Sequence, residues 1–143
     1  MMKALLLSAL LAPSAAVAGP DRVSVLVGSR HLGTEFEFNE VNPGLFLTWE
    51  LERFDVTVGA YHNSYSKQSF AASVAYPLLR GDDWSVDAFA GLATYFGTTN
   101  PDIVPMAGLQ ARYGPVFAQY VPVPGGQYIS GLVSFGLTFE IGG

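Results

Sequence analysis

Three residues of this chain have types and places that suit nucleophilic chemistry: His31, Asn63 and Ser64. A serine hydroxyl attacks a carbonyl only when a base takes its proton, and the base works best when a third group orients it. His31 is a candidate base, Ser64 a candidate reactive or positioning hydroxyl, and Asn63 a candidate orienter. His62 is a second candidate base, on the same face as Ser64 if a strand runs that far. The same residues would equally suit a solvated loop rim. Two histidines, scattered acids and no cysteine offer no ligand spacing for a metal, and Gly125-Gly126 reads as a turn, not a phosphate loop. Neither a metal nor a cofactor is expected.

Residues 31 and 63–64 can meet only if the elements between them return the chain to one place. Alternating segments separated by turn residues run along the chain at about 22–31, 44–52, 54–63, 68–78, 84–96, 103–113, 115–122 and 128–141. In the third, Phe54, Val56, Val58 and Ala60 alternate with Asp55, Thr57, Gly59, Tyr61 and Asn63. In the eighth, Val133, Phe135, Leu137, Phe139 and Ile141 alternate with Ser134, Thr138 and Glu140. The expected fold is all-β, an eight-stranded antiparallel up-and-down transmembrane β-barrel. A soluble lipocalin-like barrel shows the same alternation with the apolar set turned inward. Strands of about 9–11 residues match a tilted membrane span and favour the first.

Connection lengths give the barrel a direction. Residues 51–54 and 113–115 make tight turns and 79–83 a short one, whereas 32–43, 62–68, 97–102 and 122–127 are longer. Short turns on the periplasmic side and long loops outside put the end of the first strand, His31, and the end of the third, Asn63 and Ser64, on one outer rim. The inward positions near the other end are Glu50, Glu52, Asp55, Asp87, Arg112, Gln119 and Glu140. Toward the outer end they are Phe46, Gly59, Tyr61, Gly91, Ala93, Met106 and Gly108. A polar floor under an apolar chamber is expected. Pro43, Pro105, Pro122 and Pro124 lie near outer strand ends, where each removes a ladder donor and loosens the wall.

Residues 1–18 read as a secretory leader, with Lys3, an apolar run and Ala16-Val17-Ala18 before the cut, so residues 19–143 form the barrel domain. The leader removes one of seven basic residues and none of twelve acids. The acidic remainder excludes the basic face that nucleic-acid binding wants.

These segments resemble the bacterial lipid A palmitoyltransferases, eight-stranded outer-membrane barrels. The likeness lies in Tyr113-Gly114-Pro115-Val116, Gln119 and Tyr120-Val121-Pro122-Val123-Pro124-Gly125, in His31 followed by Phe38-Asn39-Glu40 and Pro43-Gly44, and in Asn63-Ser64. It covers most of the barrel domain loosely, at low identity. It implies transfer of an acyl chain from a phospholipid donor to lipid A in the cell outer membrane, by a monomer. The family's active His and adjacent Asp-Ser pair fall on His31, Asn63 and Ser64, with Asn where the family has Asp. Glu35, Glu37 or Glu40 would then supply the missing charge. The family's leading amphipathic helix has no counterpart, since only Gly19-Pro20-Asp21 precede the first strand. The competing expectations are a non-catalytic small barrel, structural or adhesive, and a lipid A deacylase using the same rim residues.

Overall fold

The computed structural model describes residues 19–34, 38–123 and 130–141; the expected leader, Glu35, Glu37 and Pro124 lie outside them. Eight strands follow in chain order: β1 (Arg22–Leu32), β2 (Val41–Glu50), β3 (Asp55–His62), β4 (Gln68–Arg80), β5 (Trp84–Thr94), β6 (Ile103–Tyr113), β7 (Val116–Pro122) and β8 (Gly131–Glu140). Each pairs antiparallel with the next, and β1 pairs with β8 from Arg22↔Glu140 to Leu32↔Gly131, so the sheet closes as a barrel. Closure leaves no strand edge unpaired along its whole length, which removes the usual hazard of an open β-sheet.

The strand bounds match the alternation closely, with two informative differences. β2 begins at Val41 and runs through Pro43, three residues earlier than expected. The β2–β3 ladder has already ended at Gly44↔Tyr61, and β1 carries an irregularity opposite, so no register partner claims the N–H that proline lacks. β4 continues to Arg80, carried past Pro77 by a bulge between Pro77 and Leu79.

The apolar set faces outward. Leu45 (55%), Phe70 (59%) and Phe139 (48%) are exposed, while Thr48, Asp55, Asp87 and Thr138 are buried in the lumen. The soluble alternative required the reverse. Among the described residues the buried apolar core is only Leu26, Ala75, Phe89 and Ala93. Little apolar area is therefore buried inside, and the lumen must be held by polar contacts.

Those contacts form a ring at the end that carries the tight turns. Arg22 Nη1 donates to Glu50 Oε1 at 2.5 Å, and Arg22 stands 3.8 Å from Asp55 and 4.0 Å from Glu140. Arg80 faces Asp55 and Asp87; Gln110 donates to Asp87, Gln119 to Gln110, and Arg112 to Glu140. Every strand supplies a member. Glu52, expected in this floor, instead lies in the exposed β2–β3 turn, because β2 ends at Glu50 and the chain reverses there. Arg22 is buried and serves three carboxylates. Arg22→Ala leaves Glu50 without its cation and Asp55 and Glu140 with only Arg80 and Arg112, and is expected to cost about 3–5 kcal/mol, the usual loss when one partner of a buried pair is removed. The urea midpoint of the detergent-folded protein measures it.

Candidate active site at the loop end

His31 reaches the lumenal face through a fault in the strand. From the floor upward, Arg22, Ser24 and Leu26 point inward and line the cavity. Both β1 ladders then slip between Leu26 and Gly28. Beyond the slip Ser29 pairs with Ser134 and His31 with Leu132, two residues that line the lumen, while Arg30 pairs with outward Val133. Unbroken alternation would have turned His31 outward and Arg30 inward. Bulges re-aim side chains in this way beside functional sites. Glycine is required at position 28, since a Cβ there would come within 2.6 Å of the Glu40 carbonyl oxygen.

Glu40 holds this stretch of β1 where β2 no longer pairs with it. Its backbone carbonyl accepts from Ser29 N at 3.0 Å, and its Oε2 accepts from His31 N at 2.8 Å. The same Oε2 lies 3.5 Å from His31 Nδ1, a charge contact longer than a good hydrogen bond. The bond from the His31 backbone N–H is the main reason the Glu40 carboxyl sits below its ordinary range, with the imidazole adding to it, so Glu40 is ionised at neutral pH. Phe38 stacks on the imidazole with centroids 4.2 Å apart. Of the three glutamates in the long loop, Glu40 is thus the one seen beside His31; Glu35 and Glu37 lie outside the described residues.

Asn63 and Ser64 form the β3–β4 loop. β3 stops at His62, so Ser64 belongs to a turn and does not continue the His62 face. Asn63 is fully buried: its Oδ1 accepts from Tyr65 N and Lys67 N, and its Nδ2 donates to Ser69 Oγ. Ser69 in turn donates its hydroxyl to the Thr94 carbonyl, so it can only accept from residue 63. That requirement explains an amide rather than an acid there. These bonds tie the loop to itself, to Ser69 at the start of β4 and through it to Thr94 at the end of β5, and none joins Asn63 to His31. Ser64 faces the cavity, and its carbonyl accepts from Asn39 N at 3.2 Å, tying the β3–β4 loop to the loop that carries Glu40. No hydrogen bond joins His31 to Ser64 among the described residues. His62 contributes its backbone carbonyl, which accepts from Asn42 Nδ2, and Asn42 accepts from Ser29 Oγ.

Below this rim a cavity of about 120 Å³ runs down the lumen. A single water needs roughly 10–15 Å³, so the space admits a slender molecule. Its upper wall mixes Leu26, Phe46, Phe89, Met106 and Leu132 with Ser29, Asn42, Tyr61 and Ser134; Arg22, Asp87 and Arg112 line the bottom. Phe46 lies over Gly59, where a Cβ would strike its ring at 2.3 Å. Tyr61 and Tyr95 share a hydroxyl contact at 3.0 Å across the mouth, and burial raises the Tyr95 phenol above its ordinary value. The β6–β7 ladder covers only Leu109↔Tyr120 to Tyr113↔Val116. Among the described residues Ile103–Gly108 of β6, including Pro105, have no register partner in β7, although β7 still runs against Gly108, where a Cβ would strike the Tyr120 carbonyl oxygen.

No known protein-family model matches the chain, and no curated protein matches it. What sequence reading missed is the Arg22 and Arg80 contribution to the floor, the Tyr95 collar and the bulge that turns His31. Gly28, breaking the alternation of β1, was the one available signal for that bulge.

The loop geometry has a measurable consequence. Asn63→Ala strips two backbone donors and Ser69 of their partner. It is expected to lower stability by about 1–3 kcal/mol, the cost of leaving a buried polar group unmade, and to speed amide exchange at Tyr65 and Lys67, read by hydrogen–deuterium exchange.

Proposed function

We propose that this chain is an outer-membrane enzyme of the lipid A palmitoyltransferase type, moving an acyl chain from a phospholipid donor to lipid A. The observation that carries the reading is the grouping of His31, the Glu40 carboxylate and Ser64 at one end of the lumenal cavity, where Asn39 ties the loop of Glu40 to the Ser64 carbonyl. Phe46, Phe89 and Met106 line that cavity and suit the packing of a hydrocarbon tail.

The outward surface supports a lipid setting. Exposed Phe54, Trp84, Tyr113 and Phe139 gather toward the tight-turn end and exposed Tyr65, Phe70 and Phe96 toward the loop end. Aromatic side chains gathered at two levels suit the two interfaces of a bilayer, with exposed Val, Leu, Tyr76, Tyr120 and Phe135 between them. Tight turns then face the periplasm and the candidate site faces the outer leaflet.

In the proposed reaction an acceptor hydroxyl of lipid A attacks the ester carbonyl of the donor. His31 takes the hydroxyl proton, the new ester bond forms, the old one breaks, and His31 returns the proton to the departing lyso-phospholipid oxygen. Glu40 supplies the negative charge that stabilises the imidazolium, the role expected of Glu35, Glu37 or Glu40, and also takes the orienting role expected of Asn63. Asn63 instead braces the loop that carries Ser64, and in this direct transfer Ser64 is the positioning hydroxyl.

Mass spectrometry of lipid A from cells expressing the chain tests this. The expected outcome is a mass gain of one acyl chain, abolished by His31→Ala and by Ser64→Ala. Loss of the acid from a serine triad costs about 10⁴ in rate, and Glu40→Gln is expected to reduce transfer steeply while the protein still folds. A mass loss would reassign the same site to a deacylase. An unchanged profile would leave a non-catalytic barrel. Fractionation is expected to find the protein in the outer membrane; recovery from the periplasm would refute the lipid setting.

A further inference from the structure

We propose that Arg80 is the gate of a pathway for small monovalent cations through the floor of the barrel. The proposal rests on the membrane setting argued above and is independent of acyl transfer.

The cavity is continuous from Ser64 and Tyr95 at the mouth to Arg22, Asp87 and Arg112 at the bottom. Only the ring of charged and amide side chains separates it from the tight-turn end. Part of that ring is closed by direct bonds: Arg22 to Glu50 at 2.5 Å, Arg112 to Glu140 at 3.2 Å, Gln110 to Asp87 at 3.0 Å and Gln119 to Gln110 at 2.9 Å. Among the described residues Arg80 is the one cation of the ring that makes no such bond. Its Nη2 stands 3.7 Å from Asp87 Oδ1 and 3.9 Å from Asp55 Oδ2, and it donates no hydrogen bond to either. Arg80 is also the most exposed of the three arginines in the ring, 45% where Arg112 is 20% and Arg22 8%.

Two buried acceptors face the Arg80 sector without a partner. Asp87 Oδ1 accepts no hydrogen bond although its side chain is only 5% exposed, and Ser85 Oγ is likewise buried and unpartnered. Ser85 is the register partner of Arg80. Buried polar atoms left in this state call for water or an ion. Arg80 itself faces inward only because the bulge between Pro77 and Leu79 resets the alternation of β4, and the adjacent proline donates no ladder bond. The guanidinium thus sits at the last residue of its strand, weakly held, over two carboxylates that line the floor.

When Arg80 swings toward the periplasm, Asp55 and Asp87 present negative charge to a polar passage. Carboxylates at a constriction select cations over anions. When it sits inward, its own charge repels them.

Planar bilayers holding the purified full-length mature protein test the gate. Insertion is scored first, by the heat-modifiable mobility of a folded barrel in the same vesicles. Wild type is expected to be closed nearly all the time in potassium chloride. Arg80→Ala is expected to give sustained current with reversal potentials that follow potassium, Arg80→Lys to restore closure, and Arg80→Ala with Asp87→Asn to lose the cation preference. Arg80→Ala that inserts but stays silent overturns the gate, as does wild type conducting as freely as the variant. Protein that fails to insert overturns the membrane setting, and the gate with it.

Discussion

Arg22 is the group on which the interior of this barrel depends. A small closed sheet with its apolar side chains turned outward has almost no hydrophobic core. The lumen must therefore be stabilised by polar groups that satisfy one another in a confined space. Arg22 begins β1, is buried, and reaches carboxylates on β2, β3 and β8. It lies at the closing ladder, opposite Glu140, so the residue that neutralises the floor also stands where the first and last strands meet. The rest of the ring extends that arrangement around the wall.

Two bulges convert the regular barrel into one with a distinct top and bottom. The upper one lets Ser29 and His31 face inward, and Glu40 fills the place that β2 vacates there. The lower one does the same for Arg80 at the floor. In both, one extra residue exchanges the two faces of the strand beyond it. The chemistry at the rim and the electrostatics at the floor are thus consequences of strand phase. A second asymmetry lies in the β6–β7 ladder, which among the described residues runs only from Leu109↔Tyr120 to Tyr113↔Val116.

The strands were legible in the sequence because alternation with period two is a local property. Asp55, Thr57 and Tyr61 share a face of β3 whatever the barrel does. Loop lengths were equally legible, and they placed His31 and Ser64 at one end. The role of position 63 was not. Its neighbours in sequence suggested an active-site partner for His31, but Ser69 is already committed as a donor to Thr94, and this commitment fixes Asn63 as a brace. Choosing Glu40 required knowing that its carbonyl and carboxylate meet β1 at Ser29 and His31, a fact of loop geometry that spacing does not encode.

By itself the sequence determined an eight-stranded antiparallel wall, the residues on each face of most strands, and the end at which the long loops gather. Short-range periodicity and turn chemistry decide those features, since each strand can carry only two faces. The tertiary structure alone decided which way the faces turn, where the phase slips, and which charges meet. Ser24 bonds to Thr138, 114 residues away, and Arg22 stands opposite Glu140. Contacts of that span exist only after the ring closes, because the register of closure, and not the identity of neighbours in sequence, sets which side chains share the lumen.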